Sequence, residues 1–129
     1  MKIGRVVATV TFGLLLSIHA AAAQPYSAAL ERLAGIMGSL QFLSELCDQD
    51  GVDWRVEMAS LIDASEPNEE ARLRIADRYN LGYSGFAMTY RRCTPAAVEA
   101  IDRYRRLGAA LIAEIEDAFP APDAPVADG

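Results

Sequence analysis

Between Tyr26 and Ile115 the apolar residues of this chain recur at three- and four-residue intervals, and nowhere do they alternate as in an exposed strand. That spacing restricts the chain to helices packed on helices, because an α-helix brings a side chain back to the same face about every 3.6 residues. Four such segments are separated by turn chemistry, with no internal repeat. The first runs from about Ser27 to Leu46 and places Tyr26, Leu30, Leu33, Met37, Leu40 and Cys47 on one stripe. DQDGVD (48–53) interrupts it, and a short second helix over Trp54–Ala64 sets Trp54, Met58, Leu61 and Ile62 near one face. The third opens at SEPNEE. Ser65 is its expected cap, Pro67 fits the first turn where an N–H is unpaired anyway, and Glu69 and Glu70 suit the positive end of the helix dipole. It should continue towards Arg92. The fourth opens at CTPAAV, with Thr94 as cap and Pro95 as first helical residue, and Ala97, Ile101, Tyr104, Gly108, Leu111 and Ile115 trace its inner face. The expected fold is all-α, a small antiparallel bundle of about four helices.

Before that domain stands MKIGRVVATVTFGLLLSIHAAAAQ. Lys2 and Arg5 provide a positive start, Val6–Ile18 an apolar run, and Ala21–Ala23 a small-residue cleavage signature. Residues 1–23 therefore read as a signal peptide, 24–119 as the helical domain and 120–129 as a disordered Pro/Ala-rich tail. An uncleaved membrane anchor is the competing reading; cleavage leaves no membrane span. Losing Lys2 and Arg5 takes the net charge from −6 to −8 and leaves arginine as the only basic residue type. Such a chain lacks the basic footprint of a nucleic-acid-binding protein and is repelled by anionic membrane surfaces. The expected location is the periplasm.

Histidine narrows the chemistry further. The single one, His19, lies in the expected leader. Without it, Ser–His–Asp and Cys–His catalysis lose their proton relay, and zinc and iron sites lose their commonest ligand. No cofactor, metal or catalytic residue is expected. The two cysteines, Cys47 and Cys93, end the first and third helices. An up-down-up-down path puts those ends at the same end of a bundle, so a disulfide is the expected state in an oxidising compartment. Two free thiols, catalytic or ligating, are the alternative, though no CxxC spacing supports it.

The run YNLGYSGFAMTYRRCTP (79–95) carries a second puzzle. Tyr79, Tyr83, Phe86 and Tyr90 fall on one helix face, yet Gly82 and Gly85 lie beside them. Each interior glycine costs a helix about 1 kcal/mol relative to alanine. Close backbone approach would repay that, with Gly35, Gly38 and Gly108 as matching notches; a kink at Gly82 is the other possibility. The aromatic stripe itself reads as core, or alternatively as the wall of a pocket. Tyr90, Arg91 and Arg92 form a possible contact surface, since guanidinium groups pair with carboxylate or phosphate; the plainer reading is a basic helix terminus. DQDGVD has two aspartates at calcium-loop spacing, but Val52 and Ala59 stand where further ligands are needed, so it reads as a capping loop. Trp54 reads as a core anchor.

The run GYSGFAMTYRRCTPAA (82–97), with SLQFLSELC (39–47) and WRVEMASLIDA (54–64), resembles an uncharacterised alphaproteobacterial family of small exported proteins, a domain of unknown function. The likeness spans about Leu30 to Ile115 and rests on a GYxGFAxTYxxCTP motif. It implies bacterial export and supports the pairing of Cys47 with Cys93, and it brings no activity, substrate or catalytic residue. The functional expectation is a non-enzymatic periplasmic helical protein that binds another cell-envelope component. A carrier of a small apolar or anionic ligand and a carboxylate-based enzyme acting on envelope polymers are the alternatives.

Overall fold

The computed structural model describes residues 25–49 and 51–120. The expected signal peptide, most of the expected tail, and Asp50 lie outside the described residues. Four helices follow one another: α1 (Pro25–Cys47), α2 (Trp54–Ser65), α3 (Glu69–Thr89) and α4 (Pro95–Ala118), and among the described residues there is no strand. None of these helices is long and apolar enough to cross a membrane.

The helices do not share the core equally. α1 is the hub, packing against α3 most extensively, then α4, then α2. Its sequence explains why: from Leu33 to Ser44 it carries no charged residue, and a helix covered on several sides needs no polar face there. The stripe read from the sequence captured Leu30, Leu33, Met37 and Leu40. Burial extends round the helix beyond that stripe, to Leu43 and Ser39, and takes in Ala34, Gln41 and Ser44 beside it. α4 shows the contrasting pattern, with Ala97, Ile101, Gly108 and Leu111 buried on one side and acids and arginines on the other. Two apolar clusters result. One joins Leu30, Leu33, Met37, Met58, Ile75 and Leu111, and the other joins Leu40 and Leu43 to Ala97, Ala100 and Ile101.

Local chemistry sets the helix ends. Asp53 Oδ1 accepts from the amides of Arg55 (3.1 Å) and Val56 (3.3 Å) to start α2. Thr94 Oγ1 accepts from Ala97 N (3.2 Å) to start α4, with Pro95 in the first turn as expected. The start of α3 differs from the sequence expectation. Asn68 is the cap, its Oδ1 accepting from Ala71 N (2.9 Å), and Pro67 precedes it. Ser65 instead closes α2, its hydroxyl bonding back to Leu61 O (2.7 Å). An asparagine oxygen three residues ahead of the open Ala71 amide outcompetes a serine further upstream that can satisfy its own helix. α1 and α2 both end through left-handed residues, Asp48 (φ 49°) and Glu66 (φ 44°). Past Asp48, Gln49 N donates to Ser44 O (3.0 Å), and Glu66 N donates to Ile62 O (3.1 Å), satisfying carbonyls that a helix terminus leaves open.

Cys47 and Cys93 form a disulfide with 4.9 Å between their Cα atoms. It ties the ends of α1 and α3, which run parallel: Glu31 pairs with Arg74 near one end (2.7 Å) and Glu45 with Tyr83 further along (3.0 Å). α3 stops at Thr89, short of the expected Arg92, because the chain becomes extended at Tyr90 (φ −109°, ψ 127°) before reaching the bridge.

Candidate functional site

The α1–α3 contact answers the question raised by the glycines. A Cβ on Gly82 would overlap the carbonyl oxygen of Gly35 and lie 3.0 Å from its carbonyl carbon and 3.1 Å from Ser39 N. A Cβ on Gly38 would overlap the Tyr79 carbonyl oxygen and lie 2.8 Å from the Tyr79 carbonyl carbon. The two backbones therefore touch, and Ser39 seals the contact: its hydroxyl donates to Gly35 O (2.9 Å) and more loosely to Gly82 O (3.3 Å). Gly35 and Gly38 are the notches expected from the sequence, and α3 runs unbroken through Gly82. Gly85 plays no part, since nothing lies within 4 Å of its Cβ position. Gly108 sits against Ile36, with 3.4 Å to its Cγ2 from a Cβ position.

Along the aromatic stripe the environment changes from end to end. Tyr79 is buried in the larger cluster, and its hydroxyl has no hydrogen-bond partner among the described residues. Burial pushes the phenol up to about 12, with Arg55 pulling the other way. Tyr83 meets Phe42 edge-on (5.4 Å between ring centroids) and donates to Glu45, which raises its own pKa. Phe86 stacks on Tyr90 (5.9 Å) and meets Tyr104 of α4 edge-on (5.2 Å). It also borders a hollow of about 270 Å³ with Leu81, Gly85 and Thr89. Arg91 and Arg92 are exposed beyond the end of α3, not in its last turn, and neither has an ion pair among the described residues.

A polar cluster joins three helices on the side of Tyr83. Glu45 accepts from Tyr83 and from Gln41 Nε2 (2.5 Å), and Arg55 lies 3.9 Å away. The buried Gln41 in turn accepts from the backbone of Arg55 (3.1 Å), docking the start of α2 onto α1. Glu45 is surrounded by donors and a cation, an arrangement that clasps α2 and α3 onto α1.

A larger concavity lies elsewhere. α2 and α4 both pack on α1 without packing extensively on each other, and the space between them is a groove of about 670 Å³. Leu33, Ile36, Met37 and Leu40 of α1 form its floor, Val52, Trp54, Glu57 and Leu61 one side, and Arg105, Gly108, Ala109 and Ile112 the other. Gly108 lets α4 approach the Ile36 side chain at the floor. Val52 and Ile112 are exposed on the rims (39 % and 44 %), whereas Trp54 is half-buried with its indole N–H enclosed and unpartnered among the described residues. Sequence reasoning placed its candidate pocket on the tyrosine stripe and overlooked this groove. The available signal was Val52, an apolar residue in an otherwise polar loop, together with Ile112 beside the inward stripe of α4. Among the described residues, no group of three or more histidine, cysteine, aspartate or glutamate side chains is arranged to hold a metal ion.

Residues 25–119 match the profile of the family described as "Protein of unknown function (DUF2385)", and the chain belongs to that family. No curated protein and no solved structure matches the chain.

Proposed function

We infer that this member of the DUF2385 family is an exported, non-enzymatic protein of the bacterial periplasm that works by binding another cell-envelope component. The observation that carries the reading is the α2/α4 groove. Its floor residues stand at i, i+3, i+4 and i+7 on α1, the register an apolar helix uses to receive another helix. Its two walls are helices antiparallel to α1, so a helical segment laid between them completes the ring around the hub. Glu57 stands on one rim and Arg105 on the other, which favours a partner segment with an apolar stripe flanked by charges of both signs. The disulfide, the leader-like first residues and the lack of an imidazole after His19 support export and a non-catalytic role.

Trp54 is the only tryptophan, so its emission reports directly on the groove. A photo-crosslinking residue at Ile112, introduced in the exporting cell, should give a discrete adduct with one envelope protein, and the same residue at Arg72 should not. Ile112→Asp should abolish that association while the protein keeps its helical spectrum. Equal adducts from both positions would defeat the reading. The second reading, a small apolar ligand, is favoured by the groove volume, which falls in the range of small-molecule sites. Native mass spectrometry of protein recovered from its own cells separates the two: a bound molecule of fixed mass supports the carrier, and a bare mass with a protein adduct at Ile112 supports the adaptor.

A further inference from the structure

The two halves of the disulfide differ in their surroundings. Cys47 is half-buried at the end of α1 and packs against the apolar cluster built on Leu40, Leu43 and Ile101. Cys93 is exposed, in the short non-helical segment between α3 and α4. No backbone hydrogen bond joins Arg91, Arg92 or Cys93 to another of the described residues, so this segment can yield when a reagent approaches. The Gly35–Gly82 contact and the Thr94 cap use neither sulfur, so opening the bridge leaves α3 against α1 and α4 capped.

Charge adds to the difference. The exposed Arg91 and Arg92 precede Cys93, and α4 begins two residues after it, so a sulfur released there stands at the positive end of a helix of 24 residues. Cys47 is the last residue of α1, at the negative end of that helix, and Asp48 follows it. Once the two separate, a thiolate is stabilised at Cys93 and disfavoured at Cys47.

We propose that Cys93 is a thiol-exchange site of the folded protein, at which a partner dithiol opens and recloses the bridge, with Cys47 as the resolving thiol. The partner's thiolate bonds to the exposed Cys93 Sγ. The Cys47–Cys93 bond breaks, and its electron pair leaves on Cys47 Sγ, which takes a proton from water. The partner's second thiol, deprotonated by water, then attacks its own first sulfur and releases Cys93 as a thiolate. In sum the bridge takes up two electrons and two protons, and the dithiol becomes a disulfide. The second step is fast because the surroundings of Cys93 favour the leaving thiolate. In the reverse direction the Cys47 thiolate displaces the partner from Cys93. Arg91 and Arg92 suit an attacker of negative charge, so the partner is a dithiol protein with acidic groups beside its exposed thiolate. None of these residues lines the α2/α4 groove, so the test is independent of what the groove binds.

Reduction of the unmodified chain by glutathione, an anionic thiol, and by cysteamine, a cationic one, supplies that test. With either reagent the rate should rise linearly with thiol concentration and stay unchanged in urea below the unfolding transition. A rate that levels off with thiol, or that climbs with urea, means that the bridge reacts only after the fold opens, and overturns the proposal. Acid-quenched samples taken during the reaction should carry glutathione on the Cys93 peptide; glutathione on the Cys47 peptide overturns it equally. Arg91→Glu with Arg92→Glu should lower the glutathione rate relative to the cysteamine rate at least ~3-fold at low salt. An unchanged ratio overturns the assignment of an anionic partner.

Discussion

Gly82 and Gly85 stand three residues apart on one helix, and the structure assigns them opposite responses to the same added methyl group. At Gly85 the Cβ of alanine meets nothing within 4 Å. Only the helix preference remains, and it favours alanine by about 1 kcal/mol. At Gly82 the same preference is set against a collision with the α1 backbone, 3.0 Å from the Gly35 carbonyl carbon and 3.1 Å from Ser39 N. The Gly35 carbonyl oxygen overlaps that position outright and sets the shift, so α1 and α3 must part by about 1 Å or more. A gap of that size forfeits roughly a quarter to a half of each contact it opens, and overpacking of this kind typically costs about 1–3 kcal/mol. It also breaks the approach of Ser39 to Gly82 O, a bond of about 1 kcal/mol at most. Gly82→Ala should therefore lose about 2 kcal/mol and Gly85→Ala gain about 1 kcal/mol. In urea, with an m-value of about 1.5 kcal/mol/M, the two midpoints should separate by about 2 M. If both substitutions move the midpoint in the same direction, backbone contact is not the reason for glycine at position 82.

Two further perturbations test the bridge and the buried phenol. Opening the disulfide through Cys47→Ser with Cys93→Ser releases a loop across 46 residues, for which chain entropy gives a loss of roughly 4 kcal/mol; the urea midpoint should fall steeply while the helical spectrum in water persists. Tyr79→Phe should be neutral or stabilising, because the hydroxyl is buried without a partner among the described residues. With Tyr79 held near 12 in the fold and near 10 when unfolded, its contribution is intact below pH ~10 and drains away as pH rises towards 12. Denaturation measured across that interval should show a decline that Tyr79→Phe blunts; an unchanged slope would show that another group controls the alkaline limb.

Much of the helical plan was legible from spacing alone. Thr94-Pro95 announces α4 through chemistry confined to four residues, and the inner face of α4 follows because an amphipathic helix displays its buried side as a period. The start of α3 was misplaced by the same local logic. Ser65 and Asn68 are both competent caps, and the choice depends on which oxygen is left without a carbonyl partner of its own. The central role of α1 was written in its charge-free stretch from Leu33 to Ser44, a signal that a one-sided stripe analysis passes over. The groove was harder to see. It arises from what α2 and α4 fail to touch, and no residue pattern records a missing contact.

Helical period, capping chemistry and the placement of two sulfurs are short-range or topological properties, so residue order alone settled the all-α class and the pairing of Cys47 with Cys93. Which glycine is essential could not be read that way. Gly82 and Gly85 are the same residue in the same helix, and only the approach of Gly35 and Ser39 from a segment more than forty positions away distinguishes them. Packing between distant segments also chose which apolar side chains became core and which were left at the rims of the groove and along the outer side of α3, because burial depends on the neighbours that the finished fold brings together.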